Sequence, residues 1–176
     1  MLIITGAAGF IGSNLAVQLA SMGHDLWLVD HPLTPLKAMN LVGLPKFTFI
    51  EHQAFLRMLD SELPPCEGVF HLGACSRTTE TDWNFLCNNN LVYSQVLWTW
   101  CARHHCPFLY ASSAATYGDG SQGFDDRTPP SQLRPLNLYA KSKNMFDQWV
   151  LGEIADGQPA PPSWAGLKFF NRAVPQ

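Results

Sequence analysis

Tyr139 and Lys143 stand four residues apart in Tyr139-Ala140-Lys141-Ser142-Lys143. On a helix that spacing puts a phenol and an ammonium on one face, within reach of a common ligand. A free phenol has a pKa of about 10 and is a poor base at neutral pH. A lysine ammonium beside it favours the phenolate, as does the positive nicotinamide ring of an oxidised dinucleotide. Such a phenolate takes the proton of a substrate hydroxyl while hydride leaves the same carbon, and Lys143 is placed to hold the nicotinamide ribose. Ser112-Ser113-Ala114-Ala115-Thr116-Tyr117-Gly118 follows a short apolar run at 108–111. A serine hydroxyl there orients the substrate hydroxyl and stabilises a developing oxyanion; the alternative is a serine turn that satisfies its own backbone.

A second group is Gly6-x-x-Gly9-x-x-Gly12, placed between an apolar run at 2–5 and an amphipathic stretch at 10–22. Gly6 permits a sharp turn, Gly9 lets a pyrophosphate approach the main chain, and Gly12 lets the helix pack closely on the strand. The helix N-terminus then offers free N–H groups and a positive dipole end to phosphates. Asp30 closes the next apolar run, where a carboxylate accepts hydrogen bonds from an adenosine ribose and favours NAD. Lys37 is either a solvated surface lysine or the group that neutralises a 2′-phosphate and favours NADP, and His31 serves either ribose. Gly73-Ala74-Cys75-Ser76 follows another apolar run and is expected to pass beneath the cofactor, with Cys75 as a small packing residue. Asn88-Asn89-Asn90 interrupts an apolar helix, so at least one of these amides is expected to bond the cofactor or a neighbouring loop.

The elements that position these residues read as alternating strands and helices. Strands are expected at 2–5, 26–29, 47–50, 69–72, 108–111 and 167–170. Helices are expected at 10–22, 54–63, 82–104 and 137–154. Nearly unbroken apolar strands alternating with helices mean a parallel sheet covered on both faces: a doubly wound α/β sheet, the Rossmann fold. The Gly- and Pro-rich loop at 118–134 is long enough to be suspected of function. The histidines at 104 and 105, at the end of a helix with Cys106 beside them, are explained by the helix dipole rather than by a metal, and no metal site is expected.

The 176 residues are 47% hydrophobic, enough for a sizeable core. Charged residues make up 14%, against about 25% in ordinary soluble domains, and aromatics 12%, so part of the surface is expected to be covered by a partner, a subunit or a ligand. A net charge of −3 gives no basic footprint for nucleic acid. Five cysteines without a paired spacing read as reduced thiols in the cytoplasm. The start of the chain lacks a basic signal-peptide region, and no apolar stretch is long enough to span a membrane.

Together these motifs resemble the extended short-chain dehydrogenase/reductase family of sugar-nucleotide epimerases and dehydratases. Residues 1–14 (MLIITGAAGFIGSN), 71–80 (HLGACSRTTE), 108–118 (FLYASSAATYG), 135–143 (PLNLYAKSK) and 169–171 (FFN) are similar to its ADP-heptose 6-epimerase branch. That branch interconverts ADP-D-glycero- and ADP-L-glycero-D-manno-heptose, oxidising carbon 6 with bound NADP and returning hydride to the opposite face. The resemblance implies that Phe10 and Ile11 lie along the pyrophosphate, and that Asp30, His31 and Lys37 surround the adenosine ribose. It also implies that Leu72, Gly73, Ala74, Cys75, Ser76 and Asn89 line the cofactor. Ser113, Tyr139 and Lys143 match the family's catalytic group; Ser113 and Asn171 match its substrate contacts. His31 stands where an asparagine is usual, which leaves NADP and NAD both open.

Family members continue from the Phe-Asn pair into Val/Ile-Tyr-Gly-Pro and a substrate domain carrying a second catalytic base, whereas Asn171 is followed here by Arg-Ala-Val-Pro-Gln. A dinucleotide-binding domain is therefore expected over 1–171, with a divergent tail at 172–176 and without the C-terminal substrate domain. This chain alone is expected not to epimerise. The alternatives are another sugar-nucleotide epimerase or dehydratase, or an inactive truncated dinucleotide-binding module. Homo-oligomers are implied only by the family.

Overall fold

In the computed structural model, which describes residues 1–61 and 63–170, the alternation becomes six strands and six α-helices. They run β1 (Leu2–Thr5), α1 (Phe10–Ser21), β2 (Leu26–Asp30), α2 (Pro35–Met39), β3 (Thr48–Glu51), α3 (His52–Met58) and β4 (Gly68–His71). Then come α4 (Trp83–Leu86), a π-helical turn (Cys87–Val92), α5 (Tyr93–Arg103), β5 (Phe108–Ser113), α6 (Leu138–Ala155) and β6 (Trp164–Phe169). The strand order is β3-β2-β1-β4-β5-β6, and the pairings that join β1 to β5 are all parallel. This is the doubly wound arrangement expected from the apolar strands, and its topological switch point lies at the carboxyl ends of β1 and β4.

The chain divides into two compact units, the first of residues 1–73, 100–110 and 161–164, the second of 74–99, 111–160 and those from 165 on. The core of the first is built from Leu2, Ile4, Ala16, Leu26 and Leu28, with Leu15, Leu19, Phe47 and Phe70 packed against them. Every residue of β1 is buried, because both faces of a parallel strand meet helices. Cys66 and Cys106 place their sulfurs 2.7 Å apart in this unit as free thiols. Hydrogen bonding to Cys101, then burial, pushes the Cys106 thiol up to about 12, so it is no nucleophile at neutral pH.

In the second unit Phe146 stacks on Trp149, and Trp98 meets Trp149 edge-on. The helix expected over 82–104 is present, but it passes through a π turn at the three asparagines, a bulge of the kind that recurs at functional sites. Asp82 caps it, accepting from the Phe85 N–H. The 118–134 loop closes on itself. Gly118 has φ +69°, and a Cβ there would lie 2.1 Å from the Arg134 carbonyl oxygen, so only glycine fits. β6 begins at Trp164, earlier than its sequence suggests, and Leu167 and Phe169 are each more than a third exposed. No helix among the described residues is long and apolar enough to cross a membrane.

Candidate active site

The first unit holds the glycine loop. Gly6 turns with φ +66°, and its hydrogens face Gly73: a Cβ on Gly6 would come 2.6 Å from the Gly73 Cα. The converse holds at Gly73, where a Cβ would meet the Gly6 nitrogen at 3.0 Å. The two glycines thus allow the ends of β1 and β4 to touch, a constraint that the spacing of the triplet does not reveal. The Thr5 hydroxyl fixes the same corner, accepting from the Gly73 N–H (3.1 Å) and pairing with Nδ1 of His71 (2.7 Å). Gly12 packs so tightly that its Cβ would lie 2.3 Å from the Gly6 oxygen, whereas Gly9 has only that oxygen nearby, at 3.2 Å.

Gly9 caps α1 without a side chain, so the first N–H groups of the helix have no side-chain acceptor. Phe10 is 83% and Ile11 41% exposed at this end. A diphosphate fits such a terminus, which offers free donors, a positive dipole end and a glycine floor.

Asp30, buried at the end of β2, is committed on both oxygens. Oδ2 accepts from the Ala8 N–H (2.9 Å), and Oδ1 from the His31 N–H and Lys37 Nζ (2.8 Å each). It therefore locks the glycine loop to β2 and holds Lys37, which the sequence left as a choice between surface and ligand. Asn40, at the end of α2, adds a bond to the Ala8 carbonyl (2.9 Å). Neither Asn40 nor α2 was expected; the available signal is Thr34-Pro35, an N-cap followed by a proline at N1. His31 lies beside His52, with ring centroids 4.8 Å apart. His104 stacks on Trp100. Leu72 and Gly73 are half-buried just beyond β4.

The second unit holds the acid–base group. Tyr139 and Lys143 occupy the first two turns of α6, which starts one residue after the expected position because Asn137 caps it through the Ala140 N–H (2.8 Å). Tyr139 is half-buried. Lys143 is 3% exposed, and no described residue hydrogen-bonds its ammonium. Burial pulls the Lys143 pKa down to about 8, opposed in part by the Asp147 carboxylate one turn on. An ammonium kept dry with its donors unspent is suited to ligand oxygens.

Tyr117 is the competing phenol. Burial, then a 2.6 Å hydrogen bond to Asp126, pushes it up to about 12, which holds it protonated. Ser113 ends β5; its Oγ accepts from the Ala115 N–H (3.2 Å), a role that does not use its own hydroxyl proton.

Asn90 supplies the link that the sequence only hinted at. Fully buried in the π turn, it accepts from the Cys75 N–H (2.8 Å) and donates to the Cys75 carbonyl and the Ser142 hydroxyl (3.0 Å each). It thus ties the loop of Ala74, Cys75 and Ser76 to the α6 turn between Tyr139 and Lys143. Asn89 is half-buried and spends its amide on the Phe85 carbonyl (2.9 Å). Asn171 lies outside the described residues.

Asp147 is also buried and bonds the Ser112 hydroxyl (2.6 Å) and Lys168 Nζ (2.7 Å); Lys168 in turn reaches Thr116 (2.8 Å). Lys168→Met is expected to cost about 3 kcal/mol, because it strands a buried carboxylate. Urea denaturation checks this, and adding Asp147→Leu should recover more than half of the loss.

A doubly wound sheet with a glycine loop at its switch point, and a Tyr/Lys pair on a later helix, defines a dinucleotide-binding α/β protein. The chain belongs to the NAD dependent epimerase/dehydratase family, whose model matches residues 2–160. It is 46% identical over 97% of its length to the ADP-L-glycero-D-manno-heptose-6-epimerase of Nitratidesulfovibrio vulgaris, covering 53% of that protein. It is 40% identical over its whole length to the same-named protein of Fusobacterium nucleatum, covering 54% of it. The crystal structure of the Helicobacter pylori ADP-L-glycero-D-manno-heptose-6-epimerase matches 97% of the chain at 25% identity, with a TM-score of 0.78, over 55% of that structure. A structure of MoeE5 with UDP-glucuronic acid and NAD matches 96% of the chain at 27% identity, with a TM-score of 0.70, over 54% of that structure. The chain spans about half the length of the curated relatives it matches.

Proposed function

We propose that this chain carries the cofactor-binding and first acid–base part of an ADP-L-glycero-D-manno-heptose 6-epimerase that uses NADP. The observation that carries the acid–base reading is Lys143, a dry ammonium one helical turn after Tyr139. The substrate reading is supported by identities of 40% and 46% to relatives of that name.

In this reading Gly9, Phe10, Ile11 and Gly12 receive the pyrophosphate, Asp30, His31 and Lys37 the adenosine ribose, and Leu72, Gly73, Ala74, Cys75, Ser76 and Asn89 line the cofactor. The bound nicotinamide supplies the hydride acceptor. Tyr139 removes the proton of the carbon-6 hydroxyl, Lys143 holds the nicotinamide ribose, and Ser113 donates a hydrogen bond to the reacting oxygen. Asn171 contacts the sugar nucleotide.

Joining residues 1–170 to the second half of the Nitratidesulfovibrio vulgaris relative tests the assignment. The joined protein should convert ADP-D-glycero-D-manno-heptose and leave UDP-glucuronic acid unchanged. Turnover of the UDP-sugar instead would move the substrate class.

Lys37 tests the cofactor choice. Lys37→Ala removes a charge-assisted contact to the 2′-phosphate and is expected to weaken NADP binding by about tenfold. NAD should lose less, because Asp30 is then freed for ribose hydroxyls. Calorimetric titration of both cofactors checks it; equal losses would remove Lys37 from the 2′-phosphate.

A further inference from the structure

β2 and β3 pair in parallel with Asp30 aligned to Glu51. The residues that follow each strand, His31 and His52, are thereby brought side by side, their rings 4.8 Å apart and tilted by 36°. One ring nitrogen from each histidine and one Glu51 oxygen all lie within 4.8 Å of one another. Lys37 stands on the same corner through its 2.8 Å bond to Asp30. Two imidazoles and an ammonium from three separate segments thus gather at the ends of β2 and β3, beside the Asp30 that the proposed function gives to the adenosine ribose.

We propose that His31 and His52 form a proton-dependent receptor for the 2′-phosphate of NADP, so that the chain takes up a proton with NADP and not with NAD. This rests on the NADP reading above and adds His52, which no spacing in the sequence marks, as a specificity-determining residue.

The charges around the pair set the direction. From β2 the pair faces Asp30, buried and already bonded to Lys37 of α2. From β3 it faces Glu51, whose carboxylate is engaged by the Gln53 and Ala54 N–H groups at the start of α3. Arg57 of α3 adds its charge toward Glu51. Burial, then the neighbouring His31, holds His52 below the ordinary histidine range, while Glu51 and Asp30 pull weakly the other way. His52 is therefore neutral at pH 7.5 in the free protein. A phosphate monoester is dianionic there, since its second pKa is about 6. Two negative charges beside the His52 imidazole favour its protonated form, so a proton is drawn in from solution. NAD places only hydroxyls at this corner and has no such effect. By linkage, NADP binding weakens as pH rises above neutrality, by up to about tenfold per pH unit for one proton.

The experiment is calorimetric titration of the chain with NADP and with NAD at pH 7.5 in buffers of different ionisation enthalpy, repeated at pH 6.5 and 8.5. The expected result is uptake of about one proton with NADP and none with NAD. His52→Gln should abolish most of the uptake, and His52→Lys, whose charge is permanent, should bind NADP tightly with a flat pH dependence. NADP binding tighter than NAD with no extra proton uptake overturns the histidine receptor and leaves the NADP reading intact. NADP binding no tighter than NAD at pH 6.5 overturns both. A folded chain that binds neither cofactor overturns the dinucleotide assignment itself.

Discussion

Tyr139→Phe is expected to slow epimerisation by about 10²- to 10⁴-fold, the range that a positioned general acid–base contributes. NADP affinity should stay nearly unchanged. The substitution removes one oxygen from a half-buried ring at the start of α6, so the helix, its Asn137 cap and the Lys143 ammonium remain in place. The alternative phenol cannot substitute. Tyr117 is held protonated by burial and by Asp126, and a base with a pKa of about 12 is not available at neutral pH. The measurement is single-turnover conversion of the ADP-heptose by the joined protein described above, with cofactor titration in parallel. A loss of less than tenfold would take the proton transfer away from Tyr139.

The second large effect separates two glycines that the sequence treats alike. Gly12→Ala drives a Cβ to 2.3 Å from the Gly6 oxygen and 2.9 Å from the Ala7 Cα, both backbone atoms that a rotamer change cannot relieve. The expected cost is about 3 kcal/mol or more, which for a chain of this size lowers the melting temperature by roughly 10 °C. A Cβ at Gly9 meets only the Gly6 oxygen, at 3.2 Å, so Gly9→Val should fold close to normally. Its branched side chain instead occupies the path of the pyrophosphate, and cofactor binding should disappear. Thermal denaturation and titration of the two variants give opposite patterns on this account. Gly9→Val that unfolds, or Gly12→Ala that keeps full stability, would reverse the roles given to the two positions.

These expectations show which parts of the molecule are legible in one dimension. The sheet is, because β1, β2, β4 and β5 are buried enough to read as unbroken apolar runs. The Tyr139/Lys143 pair is, because a local spacing of four on a helix fixes a shared face. α2 escapes because five residues with an exposed Leu36 and Met39 carry no apolar stripe; only its Thr34 cap and Pro35 announce it. The π turn escapes because one extra residue per turn does not disturb a hydrophobic pattern that the asparagines already interrupt. Contacts set by strand register are the least legible. The approach of Gly6 to Gly73 and the meeting of His31 with His52 each depend on which strands lie side by side. Asp147 lies between: it follows Lys143 by one turn, so its place on that face was available, but its partner Lys168 comes from β6.

The proposed function requires the chain to bind a dinucleotide. Its most direct test is titration of the folded 176-residue chain with NADP and NAD, followed by calorimetry, with Gly9→Val as the control. Saturable binding of one cofactor per chain is expected, with NADP ahead of NAD at neutral pH and no binding by the folded Gly9→Val variant. Absence of binding by the folded chain at millimolar NADP and NAD, or undiminished binding by Gly9→Val, would contradict it.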